Sequence, residues 1–250
     1  MQDGGLGHAG LLIGAVAAIT AAAAWWPRVA YRLSVAPLES PRAECLSCGQ
    51  AFAPGRRGWL RGGSACRNCP QPWWITSLLA GAMSGALTWR AAAFTGEHLL
   101  ILTCWLAIIQ AGVLLSLIDL AVMRLPVRLV MGLAAIVCVC VGTAALLSAQ
   151  PQLLLTAMMA GLAVGAFYLL AALALPSQIG LGDVRLATIL GFALGVNGWT
   201  AVVLGTALPY LLAPPFALAL LLRGGSRKAQ LPFGPFLIAG AVIAQFLTGS

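Results

Sequence analysis

Charge is nearly absent from most of this chain, and that absence dictates its fold class. Only 8% of the 250 residues are charged, against 61% hydrophobic, and uncharged intervals cover residues 4–27, 73–89, 98–118, 129–182, 186–222 and 233–248. A helix needs roughly 20 predominantly apolar residues to cross a bilayer, where each backbone amide must find its partner within the protein. The expected fold is an all-α polytopic membrane protein with about eight transmembrane helices and one small polar loop. The interval 129–182 holds two spans, divided at Gln150-Pro151-Gln152, because proline cannot continue a helix and the residue before it avoids the helical region. The interval 186–222 holds two more, turning at Asn197-Gly198. The sixth span, 184–196, is short, which implies tilt or a start deeper in the membrane than its neighbours.

The basic residues set the orientation. The net charge of +8 comes from 14 Lys and Arg against 6 acidic residues, and these cations lie in short loops, where they record sidedness rather than nucleic-acid binding. With the N-terminus outside, every Lys and Arg except Arg90 falls on the cytoplasmic side. Arg90 lies near the outer end of the second span and can snorkel. The first apolar stretch is read as a retained helix, since its basic residues follow the apolar run instead of preceding it. Three regions result: a first transmembrane helix over 1–26, a polar cytoplasmic loop over 27–72, and a transmembrane core over 73–250. Small residues four apart, Gly81 with Gly85, Gly161 with Gly165 and Gly191 with Gly195, suit close helix packing.

The polar loop contains Cys45-Leu-Ser-Cys48 and Cys66-Arg-Asn-Cys69, seventeen residues apart. That spacing lets paired knuckles deliver four thiolates to one tetrahedral zinc, and the predicted cytoplasmic side is too reducing for structural disulfides. Gly49 suits a knuckle, where the backbone turns sharply. A loop with so little apolar content would take its folding free energy from the metal. Cys104, Cys138 and Cys140 lie in apolar helices and read as small buried hydrophobes.

Asp119 and Asp183 are the acidic residues that lie between long apolar runs, in the strings Ser116-Leu-Ile-Asp119 and Gly180-Leu-Gly-Asp183. An ionisable group there costs at least a few kcal/mol and marks a functional site by default. Both would sit at the cytoplasmic ends of their helices. Two like carboxylates suggest a shared proton and acid-base hydrolysis, in which one member activates water and the other protonates a carbonyl oxygen. Gly180 and Gly182 would let the backbone approach a partner closely. Two other readings stand beside this one. The aspartates could be charge partners of Arg124, Arg128 and Arg185, or the relay of a proton-coupled transporter, although interrupted helices in matching halves are missing.

These strings resemble the prepilin peptidase family, the type IV leader peptidases, which are GxGD-type intramembrane aspartyl proteases. The matching elements are Asp119 followed by Arg124-Leu-Pro126, then Gly180-Leu-Gly-Asp183-Val-Arg-Leu186, then Leu231-Pro-Phe-Gly-Pro-Phe-Leu237 before the last helix, together with the double CxxC. The resemblance implies a bacterial inner-membrane endopeptidase that removes the basic leader of type IV prepilins or pseudopilins at the cytoplasmic face. Asp119 and Asp183 would be the catalytic pair, and Cys45, Cys48, Cys66 and Cys69 the ligands of a structural zinc. Pro232, Gly234 and Pro235 would present the substrate strand or simply shape a helix start. Many members also methylate the new N-terminus with S-adenosylmethionine. This chain departs from the family's pattern for that step: Trp26-Pro-Arg-Val-Ala-Tyr-Arg-Leu33 lacks the usual asparagine, and Ile75-Thr-Ser-Leu-Leu-Ala80 lacks the usual acid. Oligomeric state is not legible.

Overall fold

Helix is the only extended regular structure in the computed structural model, which describes residues 21, 23, 25–35, 39–46, 48–49, 51–52, 73–91, 97–174, 179–222 and 231–249. Among these residues eight helices follow one another: α1 (Trp26–Leu33), α2 (Trp73–Ala91), α3 (Glu97–Val122), α4 (Val127–Leu147), α5 (Pro151–Ala174), α6 (Leu181–Gly195), α7 (Trp199–Leu222) and α8 (Gly234–Thr248). Four helices among the described residues are long and apolar enough to cross a membrane: α3 from Leu99, α4, α5, and α7 as far as Ala219. Exposed leucines such as Leu147, Leu173 and Leu211 cover their outer faces, as acyl chains would require.

Local stereochemistry ends each helix near the expected place. α3 stops where Met123 turns left-handed with φ 51°, and Pro126 caps α4 in an extended conformation. α4 stops before Ala149, φ 52°, and Pro151 opens α5, where its missing N–H costs nothing. The turn between α6 and α7 falls at Asn197-Gly198 as expected, with Gly198 at φ +87°. α6 and α8 have 15 residues each, about 22 Å of helix against a hydrocarbon core of roughly 30 Å. The short sixth helix is therefore real, and it begins at Leu181.

Two boundaries differ from the sequence reading. Pro27 does not end a helix; it lies in the first turn of α1, so residues 27–33, read as loop, are helical. Helix α3 runs a turn beyond residue 118 and so carries Asp119 within it. Most of the first expected span, Cys66 and Cys69, and Arg56, Arg57, Arg61, Arg67, Arg223, Arg227 and Lys228 lie outside the described residues.

α6 is buried along most of its length between α4, α5, α7 and α8. Its closest neighbour is α5, and the small residues explain why. Gly161 and Gly165 face Phe192 and Thr188, while Gly191 faces Val164. A Cβ on Gly195 would stand 2.7 Å from the Ala157 Cα. α1 runs in the same direction as α3, with the Trp26 Nε1–H donating to Gln110 Oε1 at 2.8 Å and Ala30 packed near Leu114 and Ile118. The chain therefore leaves α1 at the Asp119 end of the bundle.

Candidate active site

Helix polarity brings three helix ends together: the C-terminus of α3 and the N-termini of α6 and α8. Asp119 sits in the last turn of α3 and is only 4% exposed. Its Oδ2 accepts the Gly234 N–H at 3.0 Å, from the first residue of α8. A helix N-terminus offers unsatisfied N–H groups and a partial positive charge, so it suits a buried carboxylate. A Cβ on residue 234 would lie 2.8 Å from that oxygen, which leaves glycine as the residue that fits. Pro232 and Pro235 flank the contact, and Pro235 occupies the first turn of α8, where proline is tolerated.

Asp183 occupies the third position of α6. Its Oδ2 accepts the Gly180 N–H at 3.2 Å, the reach of an acidic residue back to the amide before its own helix. Its Oδ1 is buried and has no hydrogen-bond partner among the described residues. The glycines before it act differently from each other. Gly182 is pressed on the Arg124-Leu-Pro126 turn, since a Cβ there would come within 3.0 Å of the Leu125 Cβ. Gly180 meets only ordinary contacts, so close approach to a partner chain belongs to Gly182 alone. This contact holds the end of α3, which carries Asp119, against the start of α6, which carries Asp183.

Among the described residues neither aspartate pairs with an arginine: backbone amides hold both carboxylates. The charge-partner reading of Arg124, Arg128 and Arg185 therefore fails. Three aromatic residues complete the site. Tyr168 of α5 is 1% exposed and stacks on Tyr210 of α7 with centroids 6.0 Å apart and planes 16° apart. Phe233, next to Gly234, lies 5.5 Å from Tyr210 and 6.2 Å from Tyr168. Sequence reasoning missed the two tyrosines, because a single aromatic in a continuous apolar run carries no periodic signal. Phe233 stood inside the Pro232-Phe-Gly-Pro235 string and could have been found there.

The cysteine hairpin emerges at the same end. Glu44 and Ala51 form an antiparallel bridge, the Phe52 N–H donates to the Ala43 carbonyl at 2.7 Å, and the Gly49 N–H donates to the Cys45 carbonyl at 2.8 Å. Gly49 has φ +68°, the turn a thiolate knuckle requires. Tyr31 of α1 donates its hydroxyl toward Cys45 Sγ at 3.9 Å and accepts the Leu46 N–H at 3.0 Å. The tight turn around Cys45 and Cys48 fits a zinc half-site; the other half, Cys66 and Cys69, lies outside the described residues.

Fold and site together define a helical bundle, with four helices among the described residues long and apolar enough to cross a membrane, in which two aspartates from different helices lie at one end. Residues 100–218, slightly less than half of the chain, match the model of the type IV leader peptidase family, so over that segment the chain is similar to this family of proteases. The matched segment contains Asp119, Gly182, Asp183 and both site tyrosines; the cysteine hairpin and residues 232–235 fall outside it. No curated protein and no solved structure gives a match.

Proposed function

We propose that this protein is an intramembrane aspartyl endopeptidase that removes the leader of type IV prepilins or pseudopilins at the cytoplasmic face of the bacterial inner membrane, with Asp119 and Asp183 as the catalytic pair. The observation that carries this reading is the placing of the two carboxylates at adjoining helix ends, each holding one backbone amide, with the buried Asp183 Oδ1 left over. Close carboxylates share a proton, because both cannot readily ionise together. The ionised member takes a proton from water as the oxygen attacks the peptide carbonyl. The protonated member gives its proton to the carbonyl oxygen, and later transfers return a proton to the leaving amine. The substrate backbone must be extended for its carbonyl to be reached, and unwinding is less costly near an interface than at the bilayer centre.

Arg124, Arg128 and Arg185 flank the carboxylates in sequence, and by the positive-inside tendency they support a cytoplasmic site with the N-terminus outside. Cys45, Cys48, Cys66 and Cys69 would hold a structural zinc, whose contribution is the folding free energy of the loop. Methyl transfer from S-adenosylmethionine to the new N-terminus belongs to the same reading as a separable second step. The transporter alternative finds no favouring observation.

Incubation of the purified full-length protein with a candidate precursor, followed by mass spectrometry of both products, tests this reading. Asp119→Asn and Asp183→Asn should each lower cleavage by about a thousandfold or more, at unchanged protein abundance. The rate should follow a bell-shaped pH profile: at low pH both carboxyls are protonated and no base remains, and at high pH both are ionised and no acid remains. Cleavage retained in either variant would exclude the paired-acid mechanism. The mass of the mature product reports methylation in the same measurement.

A further inference from the structure

Tyr168 is the fully buried tyrosine of the bundle, and the proton chemistry above leaves it without a role. Its height is fixed by the packing of α5 on α6. With Gly165 against Thr188 and Gly161 against Phe192 in antiparallel register, Tyr168 falls level with the first turn of α6, where Asp183 sits. The Tyr168 hydroxyl donates to the Thr206 backbone carbonyl of α7 at 3.4 Å, and these two residues are the polar ones lining a small cleft between α5, α6, α7 and α8. A hydroxyl in such a place needs a partner, because an unpaired polar group away from water costs more than the net gain of an ordinary hydrogen bond.

The ring has a second connection. Tyr168 stacks on Tyr210, Phe233 closes on both, and the residue after Phe233 supplies the amide that binds Asp119. One side chain of α5 thus touches α7 through its hydroxyl and the turn before α8 through its ring, level with the first turn of α6. We propose that Tyr168 is a positioning residue for the carboxylate pair: its hydroxyl ties α7 to α5, and its ring seats Phe233 so that the Gly234 amide holds Asp119 in register with Asp183. A misplacement of about 1 Å far from the chemistry can cost on the order of a hundredfold in rate. The expected effect of losing Tyr168 therefore lies on turnover, with substrate binding and folding spared.

This inference rests on the proposed peptidase reading, and the test separates the two. Leader cleavage is measured for the wild-type protein, Asp183→Asn, Tyr168→Phe and Tyr168→Leu, together with thermal melting in detergent. Tyr168→Phe keeps the ring and removes the hydroxyl, so kcat should fall about tenfold while KM stays within about twofold and melting is unchanged. Tyr168→Leu removes both connections and should lower kcat by about a hundredfold. Wild-type kcat in Tyr168→Phe, an effect confined to KM, or a rate loss matched by a fall in melting temperature would each overturn the positioning role while leaving the carboxylate mechanism intact. Cleavage by Asp183→Asn at the wild-type rate would overturn the peptidase reading itself, and this inference with it.

Discussion

At the scale of single residues, Gly234 shows how much of the site depends on an atom that is missing. Its N–H reaches Asp119 Oδ2 at 3.0 Å, and any Cβ would stand 2.8 Å from the same oxygen. Gly234→Ala should therefore push the carboxylate off its amide and lower kcat on the order of a hundredfold. Because the carboxylate is the end of a short side chain at the bundle's rim, melting should change little. Steady-state kinetics beside a melting curve checks both, and an alanine variant at wild-type kcat would show that the amide bond does not set the geometry. Asp119, Asp183, Gly182 and Gly234 were all legible in the sequence, because ionisable and glycine residues stand out in apolar surroundings. The specific task of Gly234 was not, since nothing in the string Pro232-Phe-Gly-Pro235 says that a residue 115 positions away will accept its hydrogen bond.

Elements decide where those residues meet. The α5–α6 contact depends on Gly161, Gly165, Gly191 and Gly195, which let two backbones approach without hydrophobic driving force from the lipid. Gly195→Ala would place a methyl carbon 2.7 Å from the Ala157 Cα and the same distance from the Ala160 Cβ. A backbone atom cannot swing aside, so the helices must part, at a cost of about 1–3 kcal/mol typical of overpacking. Thermal unfolding in detergent should report a clear fall in melting temperature, whereas Gly142→Ala, which meets nothing within 4 Å, should leave it unchanged. Equal stability of the two variants would refute the packing account. The four-residue spacing announced this contact, and proline and glycine announced the turns at 150–151 and 197–198. Sequence misplaced Pro27, because a proline that ends one helix and a proline that opens the next have the same local signature.

Across the whole molecule, the cysteine hairpin leaves α1 at the end that holds both aspartates, the end that the proposed orientation makes cytoplasmic. Elemental analysis should find about one zinc per chain, lost when Cys45 and Cys66 are both replaced by serine. In inverted membrane vesicles a membrane-impermeant maleimide should label Cys48 only after chelation, while right-side-out vesicles should resist labelling before and after. Labelling from outside would reverse the orientation, and labelling without chelation would remove the metal.

The sequence by itself determined the helical class, the apolar length of four helices, most helix boundaries and the candidacy of both carboxylates, because an ionisable group stands out in an apolar run. Only the tertiary structure decided that the ends of α3, α6 and α8 converge, that a glycine amide rather than an arginine answers Asp119, and that Tyr168 falls level with the first turn of α6. Those are meetings between segments far apart along the chain. Hydropathy and turn chemistry act locally, so the side chains that face one another across a bundle are settled only when the helices pack.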